Sequence, residues 1–169
     1  TLRALFIEKK YARELAENCT GMSRCVVREG SFEENIETIT GYDPQYNVFL
    51  YVDPYGIKGL YFSHFEKIIH REFNTLELLV NFNTFGFLRE ACRVMKEYES
   101  MEAFTDESND YESDENDDVD AMNRIAGGDY WGDIIRDFKG DKISANMAEN
   151  DLATKYMDEL GRRFRHVVN

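Results

Sequence analysis

Asp53-Pro54-Tyr55-Gly56 closes a run of apolar and aromatic residues, Val48 to Val52. A short continuous apolar run bounded by a turn reads as a strand buried on both faces. Pro54 fixes φ and lacks an N–H, so the strand stops there, and Gly56 lets the backbone turn away. A carboxylate at the C-terminal end of a parallel strand stands where open α/β sheets bind ligands. Three further strand candidates end in polar or aromatic residues: Glu8 after the first, Gly30-Ser31-Phe32 after the second, and Asn81, Asn83 and Phe85 after the fourth. In one parallel sheet these ends share an edge. A carboxylate after an early strand can accept from both hydroxyls of a ribose, and a small polar residue beside a ring can grip an adenine. The set points to an adenosine-containing ligand. Each member also has a plain alternative: Glu8 as an acid at a helix start, Phe32 as a core residue, and Tyr55 as a ring packed against Phe85 and Trp131.

The elements that must position these residues alternate. Leu2–Ile7, Cys25–Arg28, Val48–Val52 and Leu76–Phe82 read as strands. Tyr11–Cys19, Phe32–Thr40, Phe62–Arg71 and Phe87–Tyr98 read as helices, the third with Phe62, Phe65, Ile68 and Ile69 on one face. Asp129–Phe138, with Asp129 as an expected N-cap, and Asp151–Phe164 read as two more helices, and His166-Val167-Val168 would open another strand. Strand–helix alternation with helices of this length predicts a mostly parallel sheet with helices on both faces and right-handed crossovers.

Composition narrows the classes. The 169 residues suit one domain, and 43% hydrophobic residues suffice for a core. No apolar run is long enough to span a membrane. Three cysteines (Cys19, Cys25, Cys92), with no C-x-x-C paired with histidines, predict reduced thiols, no metal site and a cytoplasmic setting. The net charge is −13, but Asp106–Asp120 carries nine acids and no base; without that block the charge falls to −4. Such a run is expected to form a mobile, solvated loop, whose repulsion of phosphate would be local and screened by salt. The expected organisation is an α/β core over residues 1–104, an acidic loop over 105–121, and C-terminal helices with the start of a last strand over 122–169.

Phe6-Ile7-Glu8, Gly30-Ser31-Phe32 and Phe49-Leu50-Tyr51-Val52-Asp53-Pro54-Tyr55-Gly56 resemble successive motifs of class I S-adenosylmethionine-dependent methyltransferases. More narrowly, Asp53-Pro54-Tyr55-Gly56 followed by a helix and by Leu78-Leu79-Val80-Asn81-Phe82 resembles the three-Cys-motif partner protein family. Gly128-Asp129-Tyr130-Trp131 and Tyr156-x-x-x-Leu160 are similar to that family's C-terminal half. The resemblance implies a three-layer Rossmann-like fold of the methyltransferase type, in truncated form, with a C-terminal helical part. It implies that Glu8 binds the cofactor ribose and that Ser31 and Phe32 line the adenine. By analogy with the Asp/Asn-Pro-Pro-aromatic motif of amino-methyltransferases, Asp53 would accept from an exocyclic N–H of the methyl acceptor. The Pro54 carbonyl would share that amine, and Tyr55 would stack on the base. In this chain the second proline of that motif is absent and the ring stands one place earlier. Many family members also carry Asp where Ser31 stands.

By the same resemblance, the family's first strand and glycine-rich turn would precede Leu2, so the chain enters at the second strand. It is expected to be either a piece of a longer protein or a naturally reduced fold, binding S-adenosylmethionine weakly as it stands. Two functions compete: an amino-methyltransferase acting on nucleic acid, and a non-catalytic partner module that binds a three-Cys-motif protein or a second copy of itself across an unpaired strand edge. A nucleotide hydrolase is disfavoured by the lack of a G-x-x-x-x-G-K-[ST] loop.

Overall fold

In a computed structural model of the chain, residues 2–54, 56–95 and 115–164 are described. The molecule is α/β. Strands β1 (Ala4–Glu8), β2 (Cys25–Glu29), β3 (Asn47–Val52) and β4 (Thr75–Val80) alternate with helices α1 (Ala12–Asn18), α2 (Ile36–Thr40), α3 (Phe62–Ile69) and α4 (Thr84–Val94). Helices α5 (Glu115–Ala126), α6 (Trp131–Lys139) and α7 (Ala145–Gly161) follow. The alternation and the parallel pairing agree with the expectation from sequence. The single continuous sheet does not appear among the described strands, which pair as β1 with β2 and β3 with β4. In the first pair Ala4 faces Cys25 and Glu8 faces Glu29.

The chain divides into two compact units, Thr1–Leu50 with His64–Leu78, and Tyr51–Ser63 with Leu79–Asn169. In the first, Ile36 and Ile39 from α2 and Ile68 from α3 form the buried centre. Leu5 and Ile7, alternate residues of β1, pack on it with Phe32, Leu50, Phe73 and Leu76. Arg71 closes this unit by donating from Nε and Nη2 to the Tyr42 carbonyl at 3.2 and 2.9 Å. In the second unit the core is helical, with α4 and α6 packed on α7 and on each other. Ala148, Leu152, Tyr156 and Leu160 recur at helical spacing along α7 and are buried, the stripe an amphipathic helix turns inward. Tyr156 stacks on Phe82 with ring centroids 4.2 Å apart and meets Phe62 edge-on at 5.2 Å.

Several expectations need correction. The run Val48–Val52 is not buried along both faces: exposure alternates along β3, and Phe49 and Tyr51 are 65% and 54% exposed. Five consecutive apolar residues cannot by themselves distinguish a two-sided from a one-sided strand. Asp129 caps nothing with its side chain; its carbonyl accepts from Gly132 N at 3.1 Å, and Tyr130 precedes α6. The last helix starts at Ala145, where the Ser144 hydroxyl accepts from Met147 N at 3.3 Å. Helix α5 begins at Glu115, inside the expected acidic loop. Asp118 on it accepts from Arg93 Nη2 at 2.9 Å, and Arg93 also holds Glu90 of α4 at 2.9 Å. These two acids and burial act on the guanidinium together, and the acids win, so its pKa is raised. Residues 105–114 and the expected terminal strand at 166–168 lie outside the described residues.

Leu152 is fully buried in α7. Leu152→Ala should lower the free energy of unfolding by about 2–5 kcal/mol in a urea titration, the usual cost of a core cavity. A loss under about 1 kcal/mol would mean that the α7 stripe is not the centre of this unit.

Candidate functional site

At the C-terminal ends of β1 and β2, the backbone N–H of Gly30 donates to the Glu8 carbonyl at 3.1 Å, extending the ladder one step beyond β2. Glu8 then turns its carboxylate onto the chain ahead of α1. Its Oε1 accepts from Lys10 N at 2.8 Å and from Tyr11 N at 3.0 Å. These N–H groups hold the Glu8 carboxyl below its usual range, Tyr11 contributing most. Two otherwise unpaired donors near a helix start are thereby satisfied.

Ser31 and Glu34 are bonded reciprocally. Ser31 N donates to Glu34 Oε2 at 2.6 Å, and Glu34 N donates to the Ser31 hydroxyl at 3.3 Å. This is the pattern of a capping box, and Ser31-x-x-Glu34 is its sequence signature. The Ser31 N–H, then its hydroxyl, then the charge of Lys9 lower the Glu34 carboxyl. The buried Asn35 adds a bond from Nδ2 to the Ser31 carbonyl at 3.0 Å. Gly30 has φ of +128°, and a Cβ there would stand 2.8 Å from Glu34 Oε2 and 2.9 Å from Asn35 Nδ2. Phe32 packs against the isoleucine cluster, with its ring 6.0 Å from those of His64 and Phe65. Of the three residues that the resemblance gives to the cofactor, Ser31 has spent its N–H and hydroxyl locally and Phe32 is part of a core. The Glu8 carboxylate takes the Lys10 and Tyr11 N–H groups on Oε1, and the Lys9 N–H adds a smaller hydrogen bond to the same carboxyl.

Asp53 lies in the other unit and is built differently. Asn81 N donates to the Val52 carbonyl at 2.8 Å, carrying the β3–β4 pairing one residue beyond β4. That bond sets Asn81 beside Asp53, and Asn81 Nδ2 donates to Asp53 Oδ1 at 2.7 Å. Both residues are exposed. The segment that carries Asn81 is fixed on its far side as well. Phe82 is stacked on Tyr156, and the Asn83 side chain accepts from Gly86 N at 2.8 Å to cap α4. Gly56, at φ +85°, makes the turn after Pro54. On the same face of β3, two residues before Asp53, the Tyr51 phenol has a raised pKa. Desolvation is the largest cause, followed by the charge of Asp53 and a side-chain hydrogen bond to it. Tyr55 lies outside the described residues.

Of the six residues expected at one site, the five that are described fall into two groups, each within its own unit: Glu8, Ser31 and Phe32 in one, Asp53 and Pro54 in the other. Asn81, expected among the polar strand ends but given no role of its own, is the residue that the structure sets beside Asp53. Its signal was its position directly after a strand parallel to the one that ends at Asp53. No cluster of three or more His, Cys, Asp or Glu residues that could hold a metal ion occurs among the described residues. No helix there is long and apolar enough to cross a membrane. No family model, curated protein or solved structure matches the chain.

Two outcomes test the Glu8–Ser31 side. Gly30→Ala should destabilise by more than about 1 kcal/mol, because both the positive φ and the close Glu34 and Asn35 atoms oppose a Cβ; an unchanged denaturation midpoint would contradict that geometry. A carboxyl whose folded pKa is lowered contributes stability above its unfolded value and loses it as pH falls through the folded one. Glu34 is such a group, with an ordinary value of 4.5. Glu34→Gln should therefore lower stability at neutral pH and flatten its decline below pH 4.5. An acid limb identical to that of the wild type would remove Glu34 from the account.

Proposed function

We propose that the chain is part of a methyltransferase-like protein of the three-layer Rossmann-like type, an S-adenosylmethionine-dependent amino-methyltransferase acting on nucleic acid. One observation carries this reading: Asp53, followed by Pro54 at the C-terminal end of a parallel strand, is an exposed carboxylate fixed from the neighbouring strand by Asn81. An ionised carboxylate only accepts hydrogen bonds, so a group meeting Asp53 must bring N–H or O–H donors. An exocyclic amine brings two, one for Asp53 and one for the Pro54 carbonyl. Accepting from the amine keeps electron density on its nitrogen and orients the lone pair away from the carboxylate. S-adenosylmethionine, when bound, would supply an electrophilic methyl group. Glu8 would hold its ribose hydroxyls, and Phe32 would offer apolar surface beside the adenine. Ser31 would contribute through the shape of its loop, since its polar groups serve Glu34.

A second reading is a non-catalytic module, binding a three-Cys-motif protein or a second copy of this chain. Two observations favour it. Glu8 and Ser31 have local tasks that need no ligand, and Tyr51 and Leu79, on the paired strands, are each more than half exposed. A large exposed apolar surface on a strand pair is suited to association.

Methyl transfer from labelled S-adenosylmethionine to single-stranded DNA or RNA separates the two. The first reading expects labelled nucleic acid from a protein carrying the complete cofactor half. Asp53→Ala should reduce the rate about tenfold to a hundredfold, the loss of a charge-assisted acceptor felt at the transition state. Full activity in Asp53→Ala would remove the amine-holding role. Absence of label on any nucleic acid would favour the partner module.

A further inference from the structure

We propose that Asn81 is a positioning residue that presents Asp53 to an acceptor amine. The proposal rests on the amine-holding reading of Asp53 but goes beyond it, because neither the motif nor its spacing assigns Asn81 a role.

A free aspartate at a strand end rotates about its side-chain torsions and offers two equivalent oxygens. Here one oxygen is taken. Asn81 Nδ2 donates to Asp53 Oδ1 at 2.7 Å, within the short range of bonds to charged acceptors. The carboxylate cannot donate, so the amide orientation follows from chemistry: Asn81 must turn its NH2 toward Asp53, and its own Oδ1 faces the other way. The Tyr51 phenol also hydrogen-bonds to Asp53, so a ligand's donor meets a carboxylate whose orientation its neighbours have already set. Asn81 can do this because its backbone is bonded to the Val52 carbonyl and the next residue, Phe82, is stacked on the buried Tyr156. The strand pairing fixes the donor, and the donor fixes the acid. Pre-set orientation of this kind lowers the ordering cost of binding.

Exchanging the acid and the amide separates positioning of the acid from a merely structural hydrogen bond. Four proteins are compared: wild type, Asn81→Ala, Asp53→Ala and the double exchange Asp53→Asn with Asn81→Asp. The exchange keeps a carboxylate–amide bond across the strands but moves the acid to β4. Each is titrated by 15N NMR with adenosine, which carries an exocyclic amine, and with inosine, which has a carbonyl in its place. Thermal melting is recorded in parallel.

The wild type should bind adenosine at least about tenfold more tightly than inosine. The Asn81 side-chain NH2 resonance should move on addition of adenosine. Asn81→Ala should lose most of that preference with little change in melting temperature. The exchanged pair should melt like the wild type and still fail to prefer adenosine. Equal affinity of the wild type for the two nucleosides, or none for either at millimolar concentration, overturns the proposal. So does an exchanged protein that regains the preference, because any bridging bond would then suffice. A protein that shows the preference and its dependence on Asn81 yet transfers no methyl group would retain the positioning role and lose only the chemistry.

Discussion

The site depends on the parallel alignment of β3 and β4, carried past the end of β4 by the bond from Asn81 N to the Val52 carbonyl. In a strand pair the side chains alternate between faces, and a slip of one residue would send each to the other face. The observed alignment sets Asp53 and Asn81 within hydrogen-bond distance at the strand ends. Pro54 then ends β3, since it has no N–H to continue a ladder. Gly56, at positive φ, turns the chain away and leaves the carboxylate exposed. The core of this unit supports the alignment through Phe82, whose ring lies on Tyr156. Local backbone chemistry, strand pairing and aromatic packing thus converge on one acid.

The ends of β1 and β2 follow another logic. Glu8 and Glu34 both turn their carboxylates onto backbone N–H groups beside short helical segments. Helix α1 has seven residues and α2 has five. Elements so short gain little from their own hydrogen bonds, so side-chain caps contribute a large share of what holds them. A residue engaged in that way has fewer atoms left for a ligand. The contrast between Ser31, whose polar groups are engaged within its own loop, and Asp53, an exposed acid oriented by side chains of the strand pair, separates the two halves of the proposed machinery.

Much of the architecture was legible in sequence because its signals are local. Hydrophobic periodicity placed α3 nearly residue for residue, and the Asp-Pro-x-Gly step marked the end of β3. The capping box Ser31-x-x-Glu34 is equally local but was not read from the sequence, and it gives a structural task to a residue that motif resemblance assigns to a ligand. Other features could not be read locally. That Phe49 and Tyr51 are exposed depends on which face of β3 is covered, and a run of apolar residues does not record that. The start of α5 at Glu115 runs against the repulsion among its acids. It is helped by Arg93, a residue distant in sequence, which pairs with Asp118. Asn81 gained its meaning only once β4 was known to lie beside β3 with this alignment.

The β3–β4 alignment places Asn81 beside Asp53. The most direct measurement is scalar coupling across the hydrogen bond in NMR of 15N,13C-labelled protein. A cross-peak is expected between the Asn81 amide nitrogen and the Val52 carbonyl carbon. Its place taken by a coupling from Asn81 to the Leu50 or Tyr51 carbonyl, or a rapidly exchanging Asn81 amide with no coupling, would mean that the strands are aligned differently. Asp53 would then stand without its partner.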